Sequence, residues 1–165
     1  KASTYHGNFT IMVRALTYLL VLGREGVKQT SMNAVLNANY LMLLLKDVYQ
    51  PAYDVTCMHE FVLSLEELHK QHGVPAMDVA KRMIDYEMHP PTMYFPMIVH
   101  EALMFEPTET ESIDTLKHVS DVMHGIYQEA ISHQPDLSQA PYTTEYSRPD
   151  EVTAARHTIL KYEHH

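Results

Sequence analysis

The chain has 165 residues, 45% of them apolar and 20% charged, a balance that excludes a disordered tail or a fibre and points to one ordinary folded domain. Twelve basic residues against 21 acidic ones give a formal charge of -9, and the basic residues are scattered, so neither nucleic acid nor a membrane surface is an expected partner. The single cysteine, Cys57, makes no internal disulfide, and the longest apolar stretch, Ile11 to Leu22, is too short for a membrane span and contains Arg14; a soluble protein of the reducing cytoplasm is expected.

Patterned sequence begins almost at Lys1, which reads as an excised or processed piece, and the closing Glu163, His164 and His165 read equally well as native sequence or as the remnant of a tag. From Asn8 to Leu22 apolar residues are dense enough for a helix greasy nearly all round, with Gly23 as its left-handed stop. A second helix is predicted from Arg24 to Tyr49, where Val27, Met32, Val35, Leu36, Tyr40, Leu43 and Leu44 recur mostly at helical spacing until Pro51. Cys57 to Leu63, short and apolar between polar flanks, predicts a strand. Leu65 to His72 predicts a short helix ended by Gly73, and Pro75 at a first helical position opens another, reaching about Glu87.

Two more strands follow at Thr92 to Phe95 and Ala102 to Glu106. Thr108 and Glu111 have capping-box spacing and open a long helix to about Ser132. Gln134 to Tyr146, polar and aperiodic with two prolines, predicts an extended tail over the surface, and Ser147, Pro149 and Asp150 start a last short helix to Arg156. Helices around a few short strands make an α+β fold with a short antiparallel sheet covered by helices on one face. Such a sheet cannot use all the apolar surface of the two first helices.

Chemical motifs are sparse. The 12 histidines offer no metal set: His59-Glu60 lacks a second histidine four residues on, and His69 with His72 lacks a third ligand. No glycine-flanked serine, activated cysteine or phosphate-binding glycine loop occurs. Met83 with Met88 and Met93 with Met97 read as core fillers. Two stretches stand out: H-P-P-T-M-Y-F-P from His89 to Pro96, and E-P-T-E-T-E from Glu106 to Glu111, whose acids also suit a helix entrance.

Taken in order, Ala34 to Tyr40 (AVLNANY), His59 to Leu63 (HEFVL), Asp78 to Arg82 (DVAKR), His89 to Thr92 (HPPT) and Glu106 to Glu111 (EPTETE) resemble the C-terminal region of the glycine cleavage system P-protein family, the glycine dehydrogenases (decarboxylating). Gly7-Asn8-Phe9 and Val13-Arg14-Ala15 are similar to its two-subunit form. The resemblance runs from about Gly7 to Tyr162 and departs from the family pattern at Thr10, Tyr142 and His157-Thr158.

The resemblance implies the small C-terminal domain of an aspartate aminotransferase-like (fold-type I) enzyme, which uses pyridoxal phosphate to decarboxylate glycine and passes the aminomethyl group to the lipoyl arm of H-protein. It implies as partners a large domain, P-protein subunit 1, lipoylated H-protein and a further copy in a homo-oligomer. Residues 1–50 are then helices linking to that large domain, 51–133 the small α+β domain, and 134–165 an extended tail with a short helix. In the family the lysine that holds the cofactor lies in a stretch with no counterpart here, so no catalytic residue is assigned and the chain alone is expected to be inactive, without covalently bound cofactor. By the same resemblance Gly7, Asn8 and Phe9 lie near the cofactor phosphate, and His59, Thr92, Glu106 and Thr108 are candidates for the pocket wall. The alternative is a stand-alone association module of the same fold that uses the greasy first helix as its interface.

Overall fold

The computed structural model describes residues 7–161; residues 1–6 and the terminal Tyr162, Glu163, His164 and His165 lie outside that range. The first element, α1 (Phe9–Leu45), runs for 37 residues but is broken at Gly23, whose φ of 63° and ψ of -175° no helix can pass through. It is therefore two arms, residues 9–22 and 24–45, as the glycine predicted. Asn8 caps the first, accepting from the Thr10 and Ile11 amides at 3.0 and 3.4 Å. The second ends at Leu45, short of the expected Tyr49, because Tyr49 is drawn into the core, where its hydroxyl donates to the Met123 carbonyl at 3.0 Å.

The strands are β1 (Gln50–Pro51), β2 (Phe61–Ser64), β3 (Thr92–Met93) and β4 (Ala102–Phe105), in the order β1-β2-β4-β3 with every pairing antiparallel. β1 has no counterpart among the expected strands; Pro51 sits at the sheet edge, where a residue without an amide proton is tolerated. The predicted strands shrink at their ends: Cys57 is held by the Asn39 side chain instead of a ladder, and the chain leaves β3 at Tyr94, which has a φ of 58°. Register sets Phe61 against Phe105 and Leu63 against Leu103, all buried on one face, with the two phenyl rings stacked at 5.4 Å.

Helices cover that face. In α2 (Glu66–His72) the acids Glu66 and Glu67 open the helix, and Gly73 closes it with a φ of 71°. α3 (Ala76–Ile84) takes Pro75 as its capping residue, not its first helical one, and stops before the expected Glu87. α4 (Ile113–Ser132) buries Leu116, Met123, Ile126 and Ala130 against the second arm of α1, where Ala38, Leu41, Met42 and Leu45 are buried. Its cap is not Thr108 but Ser112, whose hydroxyl accepts from the Thr115 amide at 3.1 Å. Thr108 to Glu111 is a turn, with the Glu111 amide bonded to the Thr108 carbonyl, and that carbonyl also receives the Asn37 side chain from α1.

The tail is more embedded than its composition implied. A short 3-10 turn (Leu137–Gln139) buries Leu137, and Ala140 is fully buried. Arg148 fixes it from beyond, donating to the carbonyls of Ala140 at 2.7 Å and Leu137 at 3.0 Å and to Asp78 of α3 at 2.7 Å. The closing helix α5 (Glu151–Arg156) buries nothing. Met83 is in the core, and Met88 and Met93 pack against it, whereas Met97 is 88% exposed at the tip between β3 and β4, contrary to its reading as a core filler.

Candidate functional site

The loops that leave the sheet decide where a site can form. β3 is entered through His89-Pro90-Pro91 and β4 is left through Glu106-Pro107-Thr108, so the prolines aim two neighbouring loops toward the same end of the sheet. Between these loops, the second arm of α1 and the first turns of α4 lies a cavity of about 700 Å3. Leu41, Met83, Phe105 and Leu116 supply its apolar lining, while Glu87, Glu106 and Glu111 bring carboxylates and His89 and His118 imidazoles.

Three of the four wall candidates, Thr92, Glu106 and Thr108, line this cavity. His59 does not; it stands exposed in the loop before β2, 3.9 Å from its neighbour Glu60. Gly7, Asn8 and Phe9 are exposed at the outer end of α1 and are not among the lining residues. Gly7 has the left-handed φ of 86° that suits glycine, yet a β-carbon there would meet nothing within 4 Å. Of the amides that open the helix, those of Thr10 and Ile11 are already bonded to the Asn8 side chain.

Several residues that build the site were not among the candidates named from the sequence. Asn37 donates one side-chain amide to the carbonyls of Thr108 at 2.8 Å and Glu111 at 3.2 Å, fixing the acidic turn to α1. Two residues on, Asn39 pairs with the amide and carbonyl of Cys57 at 3.0 and 2.8 Å and fixes the loop carrying His59. The N-A-N spacing sends the two side chains to opposite sides of one helix. On the far rim Tyr86 donates to Glu129 at 2.9 Å; burial first, and then that carboxylate, push its phenol up. Arg82 forks onto Glu129 at 2.8 Å through both Nε and Nη2, and also reaches Asp85. Burial alone would raise the Asp85 carboxyl, but donors from Thr143, Arg82 and Tyr142 outweigh it and hold Asp85 below the usual carboxylate range.

Neither lysine nor arginine lines the cavity among the described residues. Lys70 is engaged by Glu66 at 2.8 Å, Lys46 lies 4.0 Å from Asp54, and Lys28, Lys81 and Lys117 are not lining residues either. Nor do the described histidines, cysteine and acids gather into a group of three that could hold a metal ion.

The fold and the site together define an α+β domain with a roomy hollow walled by acids and apolar groups, without a lysine or arginine among the described residues. The family model described as "Glycine dehydrogenase, C-terminal domain" matches residues 30–144, and the chain belongs to that family. A relative from Fervidobacterium nodosum named "Probable glycine dehydrogenase (decarboxylating) subunit 2" is 51% identical over 159 residues, covering 96% of this chain and 33% of the relative. Relatives of the same name from Treponema denticola (51% over 162 residues, 98% of this chain and 34% of the relative) and Thermosipho africanus (48% over 159 residues, 96% and 33%) match similarly. The chain thus spans about a third of the length of the curated relatives it matches.

Proposed function

We propose that this chain acts as the C-terminal domain of a pyridoxal phosphate-dependent glycine decarboxylase of the glycine cleavage system, working with lipoylated H-protein and P-protein subunit 1 in the cytoplasm, and that its cavity is one wall of the reaction site. The observation carrying this reading is that the two stretches singled out in the sequence, around Thr92 and around Glu106 to Glu111, meet in a single cavity within a domain of that family.

The cofactor, when bound, would supply an electron sink for the pair left on the α-carbon as carbon dioxide departs. The residues of this chain do not fit it by themselves: no lining lysine can join it covalently, and Glu87, Glu106 and Glu111 would repel its phosphate. Its covalent anchor therefore belongs to the rest of the polypeptide, and its phosphate to donors outside this cavity, for which Gly7, Asn8 and Phe9 stay the candidates within this chain. What the chain offers is a shaped surface, part apolar and part acidic, with its acidic turn held in place by Asn37.

The test is release of carbon dioxide from carboxyl-labelled glycine with added pyridoxal phosphate and lipoylated H-protein. Chain 1–165 should give none above free cofactor, whereas a polypeptide of the relatives' full length that carries this chain as its C-terminal third should turn over once P-protein subunit 1 is present. Turnover by the chain alone, or its absence from the complete assembly, overturns the reading.

A further inference from the structure

The first arm of α1 is the part of the molecule that its own fold leaves unexplained. Phe9, Met12, Val13, Leu16, Leu19 and Leu20 recur at three- and four-residue steps and form one stripe, with every member between 43% and 74% exposed. On the opposite side one hydrogen bond ties the arm to its own domain: Tyr18, about 160° round the helix from the centre of the stripe at 100° per residue, donates to Glu109 at 3.2 Å, while Ile11 and Val21 beside it stay exposed. The stripe therefore points away from the domain. It presents roughly 600 Å2 of apolar side chain, at the upper end of what a monomer displays.

Two facts say what covers it. The family model begins at residue 30, beyond the arm, whereas the match to the Treponema denticola relative takes in 162 residues, 98% of the chain, and so includes the arm. The arm thus belongs to what the long relatives share and lies outside the stretch that the C-terminal family model matches. The family is described as a C-terminal domain, which puts the bulk of the remaining length of those relatives on the N-terminal side of residues 30–144, the side on which this arm lies.

We propose that the stripe docks into an aliphatic and aromatic trough, free of charged groups in its floor, on the preceding two thirds of such a polypeptide, with the break at Gly23 separating the docked arm from the arm built into this domain. The inference rests on the reading of the chain as part of a longer glycine decarboxylase. Pairing with a second copy is the competing outcome, and concentration separates the two.

The experiment is thiol alkylation of Leu16→Cys in a Cys57→Ser background, in chain 1–165 and in the full-length polypeptide, with Lys117→Cys on the exposed side of α4 as reference and Leu20→Cys as a second probe should Leu16→Cys disturb folding. In the longer polypeptide the Leu16→Cys thiol should react at least tenfold more slowly than in the dilute short chain, at every protein concentration, while Lys117→Cys reacts equally in both. Equal rates at both stripe positions, or a slowing that appears only as concentration rises, overturn the proposal. Decarboxylation is read separately: an active polypeptide with a reactive stripe refutes the docking and leaves the catalytic reading standing, and an inactive one with a protected stripe does the reverse.

Discussion

Removal of the Arg148 guanidinium probes how the tail is held. The Asp78 side chain is only 8% exposed and Arg148 is its ion-pair partner at 2.7 Å; the same guanidinium satisfies the carbonyls of Leu137 and Ala140. Arg148→Ala leaves a buried carboxylate and two carbonyls without this donor. Orphaning a fully buried charge costs about 3–5 kcal/mol. With Arg148 itself 31% exposed, water reaches the pair, and the lower end, about 3 kcal/mol, applies. At about 2–4 °C per kcal/mol for a domain of this size, the thermal midpoint should fall by roughly 6–12 °C. Urea unfolding followed by circular dichroism gives the free energy directly. Arg148→Lys should recover part of the loss, since an ammonium restores the charge but not the fork. The double variant Asp78→Ala/Arg148→Ala should lose less than the two single losses added, with a coupling of about 1–3 kcal/mol. A loss below about 1 kcal/mol in Arg148→Ala, or strict additivity, would refute the clamp.

Asn37→Ala should cost about 1–2 kcal/mol and speed hydrogen exchange at residues 108–111, because two carbonyls of the acidic turn lose their donor; exchange unchanged there would count against Asn37 as the tie. Phe105→Ala removes a stacked, buried ring and should destabilise by about 3–5 kcal/mol in denaturant titration. His124 bonds the Ser120 carbonyl at 2.7 Å and Asp47 at 3.0 Å; the carbonyl first, and then Asp47, raise its pKa above the ordinary value of 6.5. A raised folded value means the added stability is complete below about pH 6.5 and is lost as pH climbs through the folded pKa. His124→Gln should flatten the stability profile in that window, and an unchanged profile would show that the imidazolium contributes nothing.

The legible parts of the fold were those fixed by local rules. Gly23 and Gly73 marked real breaks because their φ is positive, and the long helix ending at Ser132 stopped where it was expected to. The failures share a cause, which is pairing over long sequence separations. Thr108-x-x-Glu111 reads as a helix entrance, yet Asn37, far upstream, takes the Thr108 carbonyl and the helix is capped by Ser112 instead. β1 exists only because Gln50 and Pro51 find Ser64 and Leu63. The polar tail gave no hint of burial, since Leu137 and Ala140 are held by an arginine bonded to a helix on the other side of the sequence. Within the candidate site, the resemblance named Thr92, Glu106 and Thr108, which line the cavity, whereas Asn37 and Asn39 lay inside a helical pattern with no chemical signature of their own.

The central claim, that this cavity is a wall of the glycine-decarboxylating site, is tested most directly by hydrogen exchange in the full-length polypeptide with and without pyridoxal phosphate and glycine. Residues 87–92 and 105–111, which enclose the cavity, should slow by about tenfold or more on loading, while α2 and the tail beyond Arg148 stay as they were. Unchanged exchange at both cavity loops in an active, cofactor-loaded enzyme would contradict the account.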